Sequence, residues 1–259
     1  MKYFVVDAFT DSLFSGNPAG VCPVSEWPDD AVMRRIAAEN NLSETAFLLG
    51  GGGKYHIRWF TPVSEFDLCG HATLGSAFVI LNFLEPQRQA VDFTSMSGPL
   101  RVVREGDRYT LDFPARPPRP IADMDLVTQA LGAKPQALFL ARDHVALFDS
   151  AETVRTLRPD FDAMRRIENC IGLIATAPGD GSCDFVSRYF APNDGILEDP
   201  VTGSAHCTLV PFWHQRLGRS ELTARQLSAR GGTLYCRDCG ERIMISGNAV
   251  LYLQGELAL

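Results

Sequence analysis

The chain nearly repeats itself at a spacing of about half its own length, and this constrains its fold more than any other feature. Arg58-Trp59-Phe60-Thr61-Pro62 returns 130 residues later as Arg188-Tyr189-Phe190-Ala191-Pro192. Gly70-His71-Ala72 returns as Gly203-Ser204-Ala205, and Gly98, Leu100, Gly106 and Arg108 return as Gly232, Leu234, Gly240 and Arg242. A repeat this long means two similar halves rather than a solenoid of many short units. Polar residues stand at corresponding places in both copies, so an active site between the halves is the natural expectation.

The division falls at Pro114-Ala115-Arg116-Pro117-Pro118-Arg119-Pro120, where prolines exclude both a helix and an interior strand. The halves are then 1–115 and 119–259. Tyr3 to Phe9, Glu44 to Leu49, Tyr55 to Phe60, Tyr109 to Phe113, Phe185 to Phe190, Arg242 to Ile245 and Val250 to Gln254 read as strands. Asp29 to Asn40 reads as an amphipathic helix, capped by Asp29 or Asp30, with Val32, Ile36 and Ala37 as its stripe. Gly70 to Phe83 is apolar all round and so predicts a helix buried on every side. Gly203 to Leu217 predicts a second central helix, which Pro211 should kink or break. Glu105-Gly106-Asp107 and Cys239-Gly240-Glu241 read as equivalent hairpin tips. The fold class expected is α+β, each half a curved sheet wrapped around one central helix.

Composition excludes several function classes. A net charge of −7 argues against nucleic acid or an anionic membrane as partner. Seven cysteines without regular spacing, and an apolar strand-like start lacking a basic leader, read as a cytoplasmic protein with reduced thiols. The run Ala77 to Leu84 is too short to span a bilayer.

Both central helices open on small or polar residues, Gly70-His71-Ala72 and Gly203-Ser204. A helix start carries unpaired N–H groups and partial positive charge, and glycine admits a ligand close to the backbone. Two such starts suit a carboxylate or phosphate equally well, and they also suit plain helix initiation. Glu44 opens an otherwise apolar strand. A carboxylate at the edge of a core is poorly solvated, which suits a general acid or base, and the position reads equally as a solvated strand end or a turn of Ser43 and Glu44. Asp199, before Pro200 and the second central helix, reads equally as a helix cap.

Together these segments carry a resemblance. Asn41-Leu42-Ser43-Glu44-Thr45, Cys69-Gly70-His71-Ala72-Thr73-Leu74-Gly75, Glu198-Asp199-Pro200-Val201-Thr202-Gly203-Ser204-Ala205 and the opening Val6-Asp7-Ala8-Phe9-Thr10 with Gly16-Asn17-Pro18-Ala19-Gly20 resemble the signature blocks of the PhzF-like isomerase family, named for phenazine biosynthesis. The resemblance implies the diaminopimelate-epimerase-like fold, a cofactor-free enzyme and commonly a homodimer. It implies that Glu44 shuttles a proton on the carbon skeleton of a small metabolite, with His71, Asp199 and Ser204 completing the site. Epimerases of the same fold use a cysteine at each central helix start, where the helix end favours thiolate. Here Cys69 fills the first place and Val201 is read as filling the second, which disfavours a two-cysteine epimerase or racemase. A non-catalytic binding protein on this fold would need none of the four site residues.

No metal or organic cofactor is expected. Cys236-x-x-Cys239 is half a zinc site at best and reads as strand and hairpin tip. Ser204 and His206 lie two apart on a helix and do not face each other, and Gly50 to Gly53 reads as a flexible hairpin loop rather than a phosphate loop.

Overall fold

A computed structural model describes every residue except Asp123, and the side chain of every described residue except Asp194. In chain order the elements are β1 (Lys2–Ala8), β2 (Asn17–Val24), α1 (Asp30–Asn40), β3 (Glu44–Gly51), β4 (Lys54–Phe60), β5 (Glu65–Phe66) and α2 (Gly70–Val79), which ends in a π turn over Ile80–Leu84. Then come β6 (Ala90–Ser95), β7 (Gly98–Glu105), β8 (Arg108–Pro114), β9 (Arg119–Ile121), α3 (Asp125–Leu131), β10 (Ala137–Leu140) and β11 (His144–Leu147). The chain continues through α4 (Ala151–Thr156), α5 (Phe161–Arg165), β12 (Leu173–Pro178), β13 (Phe185–Ala191), β14 (Ile196–Asp199), α6 (Gly203–Leu217), β15 (Glu221–Gln226), β16 (Gly232–Asp238), β17 (Arg242–Gly247) and β18 (Ala249–Glu256).

The chain forms two compact units, one of Met1–Phe113 with Met244–Leu259, the other of Pro114–Ile243. In the first, the strands lie in the order β18, β1, β2, β3, β4, β6, β7, β8, parallel at β2/β3 and β4/β6 and antiparallel elsewhere. In the second, the order is β9, β10, β11, β12, β13, β15, β16, parallel at β11/β12 and β13/β15. Over their first seven strands the two orders match, with the parallel pairs at the same places, which is the repeat seen in the sequence. β5 and β14 pair antiparallel with the ends of β4 and β13, again alike.

The units differ from the 1–115 and 119–259 halves at the C-terminal end: β18 pairs with β1 and lies with the first unit, while β9 pairs with β10 in the second. Because β1 and β10 would otherwise expose an unpaired edge, backbone pairing rather than chain order decides the units. Pro120 is tolerated because β9 is the outer strand of its sheet.

A parallel neighbour cannot be reached by a tight turn, so each parallel join is made through a helix-bearing crossover. The crossover from β2 to β3 is α1, which lays Met33, Ile36 and Ala37 against Tyr3, Val5, Cys22, Phe47 and Phe60. The stripe differs from the expected one by Met33, with Val32 only partly buried. Asp29 is the N-cap residue but makes no side-chain cap bond, while Asp30 binds Arg58. The crossover from β4 to β6 is α2, which packs on β1, β2, β3, β7 and β18. Its buried hydroxyls are satisfied within the helix, Thr73 donating to the Cys69 carbonyl and Ser76 to that of Ala72.

Pro211 does not break α6, which runs unbroken to Leu217. A proline at this position cannot bond the carbonyl of Cys207 one turn earlier. The Arg116 N–H from the proline-rich linker takes that carbonyl instead, at 2.9 Å. An outside donor thus replaces the missing helical one, and the expected break does not occur.

The repeated Arg residues form a duplicated clamp. Arg58 makes two hydrogen bonds of 2.7 Å to Glu65, and Arg188 makes bonds of 2.7 and 2.9 Å to Glu198. Each guanidinium also covers a phenylalanine two residues on, Phe60 and Phe190, at 5.1 and 5.0 Å from the ring centroid. The clamps fix β5 and β14, the short strands that lead into α2 and α6. Arg188 further donates to the carbonyls of Val154 and Leu157 at the end of α4. Arg188→Met should therefore destabilise the protein by about 2–4 kcal/mol, because Glu198 and two carbonyls lose their charged partner. A thermal-unfolding midpoint unchanged from wild type would show that the clamp holds nothing.

Candidate active site

The parallel join of β2 and β3 is in phase: Ala19 lies opposite Glu44. The starts of the two strands therefore lie at the same end of the sheet, bringing Asn17 and Glu44 near one another. Gly16, in the left-handed region at a φ of 67°, makes the turn that starts β2, and a Cβ there would meet the Ala8 carbonyl at 2.2 Å. α2 begins at the same end. His71, in its first turn, touches both strands, with Nε2 3.1 Å from Glu44 Oε2 and Nδ1 3.1 Å from Asn17 Nδ2. Cys69, the N-cap residue of α2, places Sγ 3.5 Å from His71 Nδ1.

All four residues are buried, Glu44 at 6% and His71 at 4% exposure. The Glu44–His71 contact is close but poorly aligned for a hydrogen bond, and neither Oε2 nor Nε2 has another partner among the described residues. Burial by itself disfavours an imidazolium. The negative charges available on Cys69 and Glu44 outweigh it, so the His71 pKa lies well above its ordinary value. Burial, aided by the Glu44 charge, pushes the Cys69 thiol up to about 11. The Asn17 amide lies where it reads the ring. Its nitrogen donates to an unprotonated Nδ1, and by turning over its oxygen accepts from a protonated one.

Cys69, His71 and Glu44 also offer ligand atoms within 4.8 Å of one another. They do not converge on one ion as arranged, because Cys69 approaches Nδ1 and Glu44 approaches Nε2, whose lone pairs point away from each other.

In the second unit, Asp199 ends β14 and is buried. The Thr202 hydroxyl donates to Asp199 Oδ2. Gln226, 1% exposed at the end of β15, accepts from the Thr202 N–H at 2.9 Å. Its Nε2 donates to the Asp199 carbonyl at 2.7 Å and to Thr202 Oγ1 at 3.1 Å. Ser204 lies one residue beyond Gly203 in the first turn of α6 and is half-buried. Thr202, the N-cap residue of α6, stands where Cys69 stands in α2, which corrects the pairing of Cys69 with Val201. There is still no second thiol.

Nor is there a second Glu44. Thr45 lies opposite Phe60, and Leu173 opposite Phe190, so the counterpart of Glu44 is Gly172. A Cβ on Gly172 would meet the Tyr189 hydroxyl at 2.2 Å. That hydroxyl donates to Asp143 at 3.3 Å.

The family profile described as phenazine biosynthesis-like protein matches residues 6–255. The chain belongs to the phenazine biosynthesis-like family. An uncharacterized isomerase of Pseudomonas aeruginosa is 49% identical, with 100% of this chain and 99% of its own length covered. A crystal structure of a phenazine biosynthesis protein of the PhzF family from Enterococcus faecalis superposes with a TM-score of 0.97 at 46% identity, covering 100% of this chain and 99% of that one. A probable proline racemase from Agrobacterium radiobacter shares the fold alone, with a TM-score of 0.65 at 11% identity, covering 100% of this chain and 93% of that one. This member of the family is therefore an isomerase-type enzyme on the expected α+β fold. Among its described residues, no helix is long and apolar enough to cross a membrane.

Sequence reasoning named Glu44, His71, Asp199 and Ser204 but missed Asn17 as a contact of His71, and missed Gln226 altogether. Asn17 lay inside a quoted block, Gly16-Asn17-Pro18. Gln226 carried no signal, being a single amide at the end of a strand.

His206, one turn into α6, is buried at 0% exposure, and its Nδ1–H donates to the Thr202 carbonyl at 2.8 Å. Desolvation depresses its pKa to about 4 from 6.5, against the milder effect of that bond. The unfolded chain binds the proton first as pH falls. The stability tied to neutral His206 is therefore complete above pH 6.5 and lost on descending through pH 4, a loss of about 3 kcal/mol. His206→Asn keeps a donor for Thr202 and cannot titrate. Urea unfolding at pH 7 and pH 4 should show wild type losing more stability than the variant by about that amount, and equal losses would contradict it.

Proposed function

We propose that the chain catalyses a proton-transfer isomerisation on the carbon skeleton of a small carboxylate-bearing metabolite, with Glu44 as the group that moves the proton. The observation that carries this reading is the buried 3.1 Å approach of Glu44 Oε2 to His71 Nε2, in which neither atom is otherwise satisfied. A desolvated carboxylate beside an imidazole can take a proton from one atom and return it to another, general acid–base chemistry that supplies about two to four orders of magnitude in rate. Its single occurrence, with Gly172 in the second copy, favours one shuttling base over two opposed ones. Asp199 and Ser204 complete the site, as the family resemblance implies.

In this reading the N–H groups at the starts of α2 and α6, from Gly70, His71, Ala72, Gly203 and Ser204, bind the substrate carboxylate. The reaction needs neither metal nor organic cofactor, and the enzyme works as a homodimer in the cytoplasm. Nothing beyond family likeness ties it to phenazine synthesis.

A thermal-shift screen of small carboxylic acids identifies the ligand class, since a specific ligand at a hundredfold excess over its Kd adds about 2.7 kcal/mol of stability. With a substrate in hand, Glu44→Gln should bind it with a Kd near wild type while kcat falls by about two to four orders of magnitude. Full turnover by Glu44→Gln would overturn the assignment.

A further inference from the structure

The hydrogen bonds around Asp199 have a direction that can be read without ambiguity. The backbone N–H of Thr202 can only donate, so the group of Gln226 facing it at 2.9 Å is the amide oxygen. The amide nitrogen then faces the Asp199 carbonyl at 2.7 Å and Thr202 Oγ1 at 3.1 Å, donating to both. A hydroxyl has one proton. With Oγ1 accepting from Gln226, that proton is directed to its other neighbour, Asp199 Oδ2.

Gln226, Thr202 and Asp199 are all buried. The other ionisable group brought against Asp199 by its own sheet is Tyr189, opposite it on β13, with Asp143 and Arg142 beyond.

We propose that Gln226 is a positioning residue, which aims the Thr202 hydroxyl at Asp199 Oδ2 and so favours the carboxylate. It acts through Thr202 and touches no reacting atom. Its value to catalysis rests on the reading of Asp199 as part of the site, but the wiring itself does not. The same amide also joins the end of β15 to the start of α6.

The test is the titration of the Asp199 carboxyl by carbon-13 NMR in aspartate-labelled protein, assigned by the resonance lost in Asp199→Asn. No substrate is required, so failure of the isomerase reading and failure of this one are separable. Gln226→Glu is isosteric and cannot donate when ionised. The Thr202 hydroxyl then turns toward the new carboxylate, and the Asp199 pKa should rise by about one unit or more, since a hydrogen bond to a charged group of roughly 1.5–3 kcal/mol is lost, with like-charge repulsion adding to the rise in this variant but not in the Thr202 variants. Thr202→Val removes the donor itself and should raise it similarly, while Thr202→Ser should restore the wild-type value. Gln226→Met added to Thr202→Val should change nothing further, because the amide acts through a hydroxyl no longer present. A wild-type Asp199 pKa in folded Gln226→Glu and Thr202→Val, or additive shifts in the double variant, would overturn the proposal. Should Gln226→Met unfold the chain, the Gln226→Glu and Thr202 variants still decide it.

Discussion

The rest of the molecule depends on the two parallel joins in each sheet. Antiparallel neighbours need only a hairpin, but β2 to β3, β4 to β6, β11 to β12 and β13 to β15 each require the chain to leave the sheet and return through a crossover. In the first unit these crossovers do two things at once. They start β2 and β3 at one end of the sheet, with Ala19 opposite Glu44, and they start α2 at that end too. Asn17, Glu44, Cys69 and His71 meet for that reason. None of them is adjacent in sequence to all the others, and the topology supplies the contact.

The repeat explains the frame, and its imperfections explain the chemistry. The strand order, the arginine clamps and the glycine-first central helices are duplicated. The reactive groups are not. Gly172 stands in the place of Glu44, Thr202 in that of Cys69 and Ser204 in that of His71. A symmetric mechanism, with one base for each face of a carbon, needs duplicated groups. This chain has a carboxylate–imidazole pair in one unit and a carboxylate held by a hydroxyl in the other, which suits one group that removes a proton and delivers it elsewhere.

Much of this was legible in the sequence, for reasons that can be located. Strong apolar patterning found α1, β3, β4, β8 and β13, and the repeat found both central helices because Gly70-His71 and Gly203-Ser204 mark their first turns. What escaped notice depends on contacts far apart along the chain. Pattern alone could show β18 as a strand, but not that it pairs with β1 at the opposite end of the sequence. The break expected at Pro211 was sound local physics, overridden by the Arg116 N–H. Gln226 is invisible for the same reason: its importance lies in what β15 brings it against. The mistaken pairing of Cys69 with Val201 came from aligning a repeat whose spacing drifts by a few residues, and the helix caps resolve it.

The central claim is that Glu44, not Cys69, moves the proton. Incorporation of solvent deuterium into product, measured by mass spectrometry for wild type, Glu44→Gln and Cys69→Ser, tests it most directly. The account predicts that Cys69→Ser exchanges nearly as fast as wild type, since a buried thiol with a pKa of about 11, matched by Thr202 rather than a thiol at the cap of α6, has no role in proton transfer. It predicts that Glu44→Gln loses exchange in step with turnover. Exchange that survives in Glu44→Gln and stops in Cys69→Ser would contradict the account and establish a thiol-based reaction in its place.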